Sequence, residues 1–136
     1  VDHLDAHPST TGNGLGVMGF CMGGRLTFVL AALRPGTAAA AVPSYRFPTG
    51  DDQPDYSKIE AAIQGHMAEH DDFFPPSAAM HLGEELKALG KDATITVHAG
   101  TGHAFMAPHN ALGTRDQAKF DEIWPQATAF LHDKLT

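Results

Sequence analysis

Residues 14–24 read GLGVMGFCMGG, and this stretch decides the fold because it has the composition of a strand, a sharp turn and a helix start. Cys21 is the only cysteine of the chain and stands within GFCMG, residues 19–23. That is the nucleophile-elbow pattern G-x-S-x-G with Cys in place of Ser. The nucleophile of such a turn has a strained backbone. We expect the glycines on both sides, Gly19 and Gly23, to be required because side chains there would make strand and helix collide.

The flanking sequence fits this interpretation. Residues 15–20 are apolar enough for a buried strand, and residues 22–33 predict a helix with leucines at helical spacing. The helix is expected to stop at Arg34-Pro35-Gly36. Cys21 is therefore a candidate nucleophile at a strand-to-helix turn.

Strands and helices alternate along the rest of the chain. This order predicts one α/β domain over residues 1–136, with a parallel sheet of about four strands and flanking helices. The further elements that we predict are a helix tail at 1–4, strands at 37–45, 62–68 and 93–99, a helical turn within 55–62, and helices at 75–89 and 116–135.

Composition narrows the classes of partner. The formal net charge of −7, from 16 acidic and 9 basic residues, argues against nucleic acid or an anionic membrane surface, which both require clustered cations. No apolar run has the length of a spanning helix. A single cysteine excludes an internal disulfide and fits a reducing compartment, so we expect a cytoplasmic location.

Three chemically suited residues follow three different predicted strands. Cys21 follows the first strand, Asp71 the third and His103 the fourth. The carboxyl ends of parallel strands meet at one sheet edge, where sites form. Asp72 stands beside Asp71 and remains an alternative for the acid.

These residue types suit nucleophilic catalysis. A free thiol has a pKa of about 8.5, so a neighbouring imidazole is needed to take its proton at neutral pH. A carboxylate can hold that imidazole in the required tautomer. The backbone N–H of Met22, at the predicted helix start, can donate to an oxyanion.

Two other patterns resemble known binding motifs but lack features that those motifs require. Gly14-x-Gly16-x-x-Gly19 matches the dinucleotide fingerprint as a string, but no strand precedes it and no acidic residue stands about 20 positions later. His66 and His70, with Glu69 between them, hint at a metal pair, but their spacing on a strand-to-loop segment is not that of a metal motif. We therefore expect neither a cofactor nor a metal.

The sequence resembles the dienelactone hydrolases, the carboxymethylenebutenolidases of the α/β-hydrolase superfamily. The resemblance rests on GVMGFCMGGR (16–25), EHDDFFP (69–75) and GHAF (102–105), and on the terminal helix with Trp124. It implies a Cys21–His103–Asp71 triad that hydrolyses a small ester or lactone without metal or cofactor. It also implies that the chain corresponds to the C-terminal half of such a domain, so that a segment before Val1 would complete the oxyanion hole.

The resemblance also bears on the substrate. Family members that cleave dienelactone carry an arginine shortly after the histidine, where this chain has Ala107, so we do not expect dienelactone itself as substrate. Tyr45 and Phe105 are candidates for lining the substrate pocket, although Tyr45 fits a core position equally well.

Two alternatives stay open at this point. The half-domain could be an impaired enzyme that serves as an assembly scaffold, as a homo-oligomer or with a separate N-terminal chain, because a truncated sheet exposes an edge. A weaker alternative is a redox sensor built on Cys21.

Overall fold

The computed structural model describes all residues from Val1 to Thr136. Two single-turn 3₁₀ helices, Gly50–Asp52 and Tyr56–Lys58, lie between the second and third strands. The other elements, in chain order, are α1 (Asp2–Asp5), β1 (Leu15–Phe20), α2 (Met22–Leu33), β2 (Ala38–Ser44), β3 (Ala62–His70), α3 (Pro76–Ala88), β4 (Ala93–Gly102) and α4 (Gln117–Leu135).

The four strands form one parallel sheet in the order β1-β2-β3-β4. This confirms the predicted α/β class with about four parallel strands and flanking helices. The register aligns the strand ends, since Phe20 pairs with Ser44, Ser44 with His66, and His70 with Gly102. The residues that follow β1, β3 and β4 therefore lie along a single edge of the sheet.

Helices cover both faces of the sheet. On one face, α2 and α3 enclose the larger core, which includes Phe28, Leu82, Ile63 and Met67. On the other face α4 packs through Ile123 against a smaller core that contains Tyr45, Ala68 and Phe105. None of the helices combines the length and apolar character that crossing a lipid bilayer requires.

Two strands run further than the sequence indicates. The predicted third strand ends at residue 68, but β3 continues to His70, and β4 continues past residue 99 to Gly102. A register shift between Ala68 and His70 lets the two extensions pair. Such a bulge depends on the partner strand, so neither sequence segment shows it alone.

The elbow glycines have unequal structural roles. A Cβ added at Gly19 would lie 2.1 Å from the carbonyl oxygen of Gly23 and 2.4 Å from Oγ1 of Thr27. A Cβ at Gly23 would meet nothing within 4 Å, so the expectation that both glycines are sterically required is wrong for Gly23. Gly24 is the second constrained position, because a Cβ there would lie 2.6 Å from the carbonyl oxygen of Ser44.

A pair of buried histidines joins β3 and β4. Nδ1 of His66 lies 3.0 Å from Nε2 of His98, and Nε2 of His66 lies 3.2 Å from Oε1 of Gln64. Because Oε1 only accepts, His66 donates from Nε2 and accepts from His98 at Nδ1. Burial, with a smaller contribution from His98, lowers the pKa of His66 to about 4. These polar contacts explain why β3 forms although Gln64 and His66 weaken its apolar pattern.

The different surroundings of Gly19 and Gly23 predict that alanine substitutions at these two positions change the stability of the chain by different amounts. We expect Gly19→Ala to lower the free energy of unfolding by about 3 kcal/mol or more, because the new methyl group overlaps backbone atoms that cannot move freely. Gly23→Ala is the matched control and should change it by less than about 1 kcal/mol. Urea unfolding of both variants measures the difference. Equal effects of the two substitutions would contradict the close approach of β1 and α2.

The histidine pair predicts loss of stability in acid. The pKa of His66 is about 4 in the folded chain and 6.5 when unperturbed, so the unfolded chain binds more protons between these pH values. Stability contributed by neutral His66 should thus be complete above the unfolded pKa and decline as pH falls through this window, by on the order of 3 kcal/mol.

Urea unfolding between about pH 7 and about pH 4 measures this decline. His66→Gln should flatten it, because an amide does not titrate in this range. His81→Gln, at an exposed histidine of α3, is the control and should leave the slope unchanged. An unaltered slope in His66→Gln would show that other groups cause the acid response.

Candidate active site

Cys21 occupies the turn between β1 and α2 in a conformation that few side chains adopt. Its φ is 53° and its ψ is −118°, and it is the N-cap residue of α2. Its backbone N–H donates to the carbonyl oxygen of Ser44 at 3.0 Å, which ties the turn to the end of β2. The thiol remains exposed. The turn therefore presents the sulfur at the edge of the sheet, as the elbow motif predicts.

Asp71 directly follows β3 and is almost completely buried. Its Oδ1 accepts hydrogen bonds from the backbone N–H groups of Phe73 and Phe74, both at 3.0 Å. These two bonds fix the carboxylate and leave Oδ2 free for another donor.

His103 directly follows β4 and connects the other two groups. Its Nδ1 lies 2.6 Å from Oδ2 of Asp71, and its Nε2 lies 3.3 Å from Sγ of Cys21. A carboxylate only accepts, so Nδ1 carries the proton and Nε2 is the acceptor that faces the thiol. The structure thus brings together Cys21, His103 and Asp71, whereas Asp72 is exposed and the carboxylate that His103 bonds is that of Asp71.

Aromatic side chains surround the imidazole of His103. The rings of Tyr45, Phe74 and Phe73 have centroids 5.8, 6.0 and 6.3 Å from it. Only 13% of the His103 side chain is exposed. The packing limits rotation of the imidazole, so its two nitrogens stay directed at the carboxylate and the thiol.

Tyr45 combines a strained backbone with a buried side chain. It follows β2 with a φ of 68°, and its hydroxyl accepts a hydrogen bond from the Met106 N–H at 3.0 Å. Burial raises the pKa of its phenol, which therefore stays neutral. Its ring also lines a pocket, so both predicted settings, core and pocket wall, apply to it.

Met22 is the first residue of α2 and follows Cys21 directly. The first N–H groups of a helix have no partner within the helix. Together with the helix dipole, this makes the Met22 N–H suited to negative charge beside the sulfur.

An apolar pocket of about 350 Å³ lies beside this group of residues. Its lining includes Phe20, Tyr45, Met106, Ala107, Phe120 and Trp124. Phe105 does not line it, which corrects the prediction for that residue. The Phe105 side chain is fully buried behind Tyr45, with ring centroids 5.1 Å apart, because the chain turns inward after His103.

Most residues of the pocket wall, and the aromatic residues around His103, were not predicted from the amino-acid sequence. Phe20 carried a usable signal, since it adjoins Cys21 at a strand end. Phe120 and Trp124 carried none, because they come from a helix far along the chain and belong there to an ordinary amphipathic pattern.

The rejected motifs have structural explanations. In the string of glycines that resembles a dinucleotide fingerprint, Gly16 makes room for Leu131 and Leu135 of α4, as an added Cβ would lie 2.8 Å from Leu135. His66 faces His98 in the interior, while His70 is exposed and lies 3.4 Å from a Glu69 carboxylate oxygen. No three His, Cys, Asp or Glu side chains gather closely enough to hold a metal ion.

Comparisons with known proteins agree with this architecture. The sequence profile of the dienelactone hydrolase family matches residues 1–135. Protein usf of Aquifex pyrophilus is 29% identical over 136 residues, which are all of this chain and 58% of that protein. A protein of Escherichia coli K12, provisionally named carboxymethylenebutenolidase, is 32% identical over 120 residues, or 80% of this chain and 44% of that protein. The chain thus spans about half the length of these relatives.

Solved structures show the same fold. A dienelactone hydrolase-like promiscuous phosphotriesterase from metagenomic libraries superposes with a TM-score of 0.81 at 17% identity, covering 99% of this chain and 58% of that one. The profile match over nearly the whole chain, together with this fold, shows that the chain belongs to the dienelactone hydrolase family.

Proposed function

We propose that this chain carries the nucleophile, base and acid of an enzyme that hydrolyses a small ester or lactone through an acyl-enzyme. The single observation that carries the proposal is the continuous line of contacts from Cys21 Sγ to His103 and on to Asp71, at 3.3 and 2.6 Å. Family membership supports the reaction class, since hydrolysis of esters and lactones uses this arrangement.

In the acylation half, Cys21 Sγ attacks the carbonyl carbon while its proton moves to Nε2 of His103. The π electron pair of the carbonyl moves onto its oxygen, which becomes an oxyanion. The Met22 N–H donates a hydrogen bond to this oxyanion. Asp71 stabilises the imidazolium through Nδ1–H and stays ionised. When the oxyanion collapses, the C–O bond to the alcohol breaks, and the leaving oxygen takes the proton from Nε2. A thioester on Cys21 remains.

In the deacylation half, water replaces the thiol as the nucleophile and the same kinds of step follow. His103 Nε2 takes a proton from the water as its oxygen attacks the thioester carbon. The second oxyanion collapses, the C–S bond breaks, and the sulfur recovers its proton from the imidazolium. The products are the acid and the free enzyme, and no cofactor enters the balance.

The chain alone should turn over slowly. Oxyanion sites commonly use two donors, and Met22 supplies one of them. In a longer protein of this family, a strand-to-helix loop earlier in the chain would supply the second. One such donor is typically worth about 2.7–4 kcal/mol of transition-state stabilisation.

The nucleophile role predicts the outcome of two substitutions. Cys21→Ala should reduce hydrolysis of phenyl acetate to the background rate, because no other group can form the thioester. Asp71→Asn should lower kcat/KM by roughly 10²–10⁴-fold, since an amide favours the wrong tautomer of His103. Asp72→Asn is the matched control and should keep full activity. Mass spectrometry after rapid quenching should detect the acetyl group on Cys21. Unchanged turnover in Cys21→Ala would refute the proposal.

A second candidate function is assembly, and a specific surface favours it. The strand order leaves β1 at an edge of the sheet, and edge strands recruit partners. An open apolar groove between β1 and α2 includes Val17, Leu26 and Leu33, of which Leu33 is 70% exposed. We propose a second copy of this chain as the occupant if the chain acts on its own.

This alternative predicts self-association that depends on concentration. In sedimentation equilibrium, the chain should form dimers, and Leu26→Glu should shift it to monomers because the groove would then bury a charge. Met80→Glu, at an exposed apolar residue of α3, is the control and should leave the dimer intact. A monomer at all concentrations would exclude assembly.

A further inference from the structure

The backbone on both sides of His103 takes positive φ angles. Gly100, near the end of β4, has a φ of 74°, and Ala104, directly after the histidine, has a φ of 61°. A positive φ is ordinary for glycine but costly for alanine, because the Cβ then crowds the following carbonyl oxygen. Such a conformation persists only where surrounding contacts over-determine it. The contacts that hold this segment therefore also fix the backbone from which the imidazole extends.

Two hydrogen bonds hold the end of β4 ahead of the histidine. The Gly100 N–H donates to Oε2 of Glu69 at 2.7 Å, and Oγ1 of Thr101 donates to the carbonyl oxygen of His98 at 2.7 Å. Both bonds lie before His103. They fix the course of the strand, but they do not reach the peptide bond that joins the histidine to the strained alanine.

Thr114 supplies the contact at that peptide bond. Its Oγ1 donates to the carbonyl oxygen of His103 at 2.5 Å, and this is the one side-chain hydrogen bond to the His103 backbone. Its methyl group faces Gly102, where an added Cβ would lie 2.6 Å from Cγ2 of Thr114. Thr114 thus contacts the chain both at the histidine and directly before it.

The position of Thr114 is itself fixed by the segment that follows it. The Arg115 N–H donates to Oδ1 of Asn110 at 2.9 Å, and the Asp116 N–H donates to the carbonyl oxygen of Phe105 at 2.8 Å. Asp116 is also the N-cap residue of α4. The hydroxyl therefore approaches the histidine from a segment that is anchored to the loop on one side and to a helix on the other.

We infer that Thr114 is a positioning residue: its hydroxyl holds the carbonyl of His103 and thereby the direction of the imidazole. The inference rests on the proposed function, because it concerns the contacts of 3.3 Å to Cys21 and 2.6 Å to Asp71 through which the proton moves. Without the hydroxyl, the strained Ala104 is free to relax, and the backbone of the histidine turns with it. A misplacement of about 1 Å in a catalytic geometry can lower the rate by on the order of 100-fold.

Substitutions at Thr114 separate the hydroxyl from the packing of the side chain. Thr114→Val keeps the methyl group that faces Gly102 and removes the donor, whereas Thr114→Ser keeps the donor and removes that methyl group. With phenyl acetate as substrate, Thr114→Val should lower kcat by about tenfold or more and leave KM within about twofold, because the change acts on the reacting groups. Thr114→Ser should retain kcat within about threefold.

Two further variants serve as controls. Thr96→Val, the same change at an exposed position of β4, should have no effect on kcat or KM. Thr114→Ala removes the donor without adding an apolar branch and should give the same loss of kcat as Thr114→Val. The comparison with Thr114→Ser therefore holds even if the valine variant does not fold.

Alkylation of Cys21 measures the position of the imidazole without turnover. Cys21 is the only cysteine, so mass spectrometry after treatment with iodoacetamide counts a single label. The sulfur displaces iodide faster when His103 takes its proton, so Thr114→Val should slow the labelling by about fivefold or more, and Thr114→Ser should not. With His103→Ala in place, Thr114→Val should cause no further change, because the hydroxyl acts through the imidazole. An equal slowing in the His103→Ala chain would overturn the inference.

The two measurements distinguish this inference from the proposed function. Hydrolysis with the same kcat in Thr114→Val and in the unsubstituted chain would overturn the positioning role and leave the nucleophile role standing. Equal losses in Thr114→Val and Thr114→Ser would also overturn it, because packing would then explain both. Slower alkylation in Thr114→Val but not in Thr114→Ser, in a chain that hydrolyses no ester, would support the positioning of His103 and refute the hydrolase.

Discussion

The contact between the backbone of α2 and the hydrogen-only face of Gly19 is the constraint on which the site depends. With an added Cβ only 2.1 Å from the Gly23 carbonyl oxygen, no larger residue fits at position 19 without moving the helix. This approach allows the chain to reverse within one residue, and that residue, Cys21, takes the strained φ of 53°. Strain of this kind persists only where surrounding structure over-determines it. Here the Ser44 carbonyl and the first turn of α2 hold the turn from both sides.

The parallel register brings this local turn close to Asp71 and His103. Because β1, β3 and β4 end at one edge, the residues after them converge although they are separated by 50 and 32 positions along the chain. The side chains are then oriented by different local means. Two backbone N–H groups fix Asp71, aromatic rings confine His103, and the elbow directs Cys21. The polar groups are thus placed by fixed contacts before any substrate arrives, which is what electrostatic preorganisation requires.

The unequal roles of the glycines show how motif and packing differ. The motif G-x-C-x-G treats Gly19 and Gly23 alike, but in this chain only Gly19 faces backbone atoms. Gly24 lies outside the motif, but a side chain there would collide with the backbone at the end of β2. The open space at Gly23 belongs to the same uncovered apolar surface as Leu26 and Leu33, beside the β1 edge. The glycine pattern is therefore a feature of the motif in general. The contacts in this chain decide which of its glycines are sterically required.

The amino-acid sequence by itself determined the class of fold and the elbow, and it singled out Cys21 and His103 as candidates, because these depend on local signals. Apolar strands, helical spacing and glycines around one cysteine are all readable within about a dozen residues. It could not decide between Asp71 and Asp72, because two adjacent carboxylates have the same local sequence context, and only the folded chain buries Asp71 and leaves Asp72 exposed. It also could not place Phe105 in the core, pair His66 with His98, or assemble Phe20 with Trp124 into a pocket wall. Those outcomes depend on contacts between segments far apart in the chain, and only the packing of the helices on the sheet decides them.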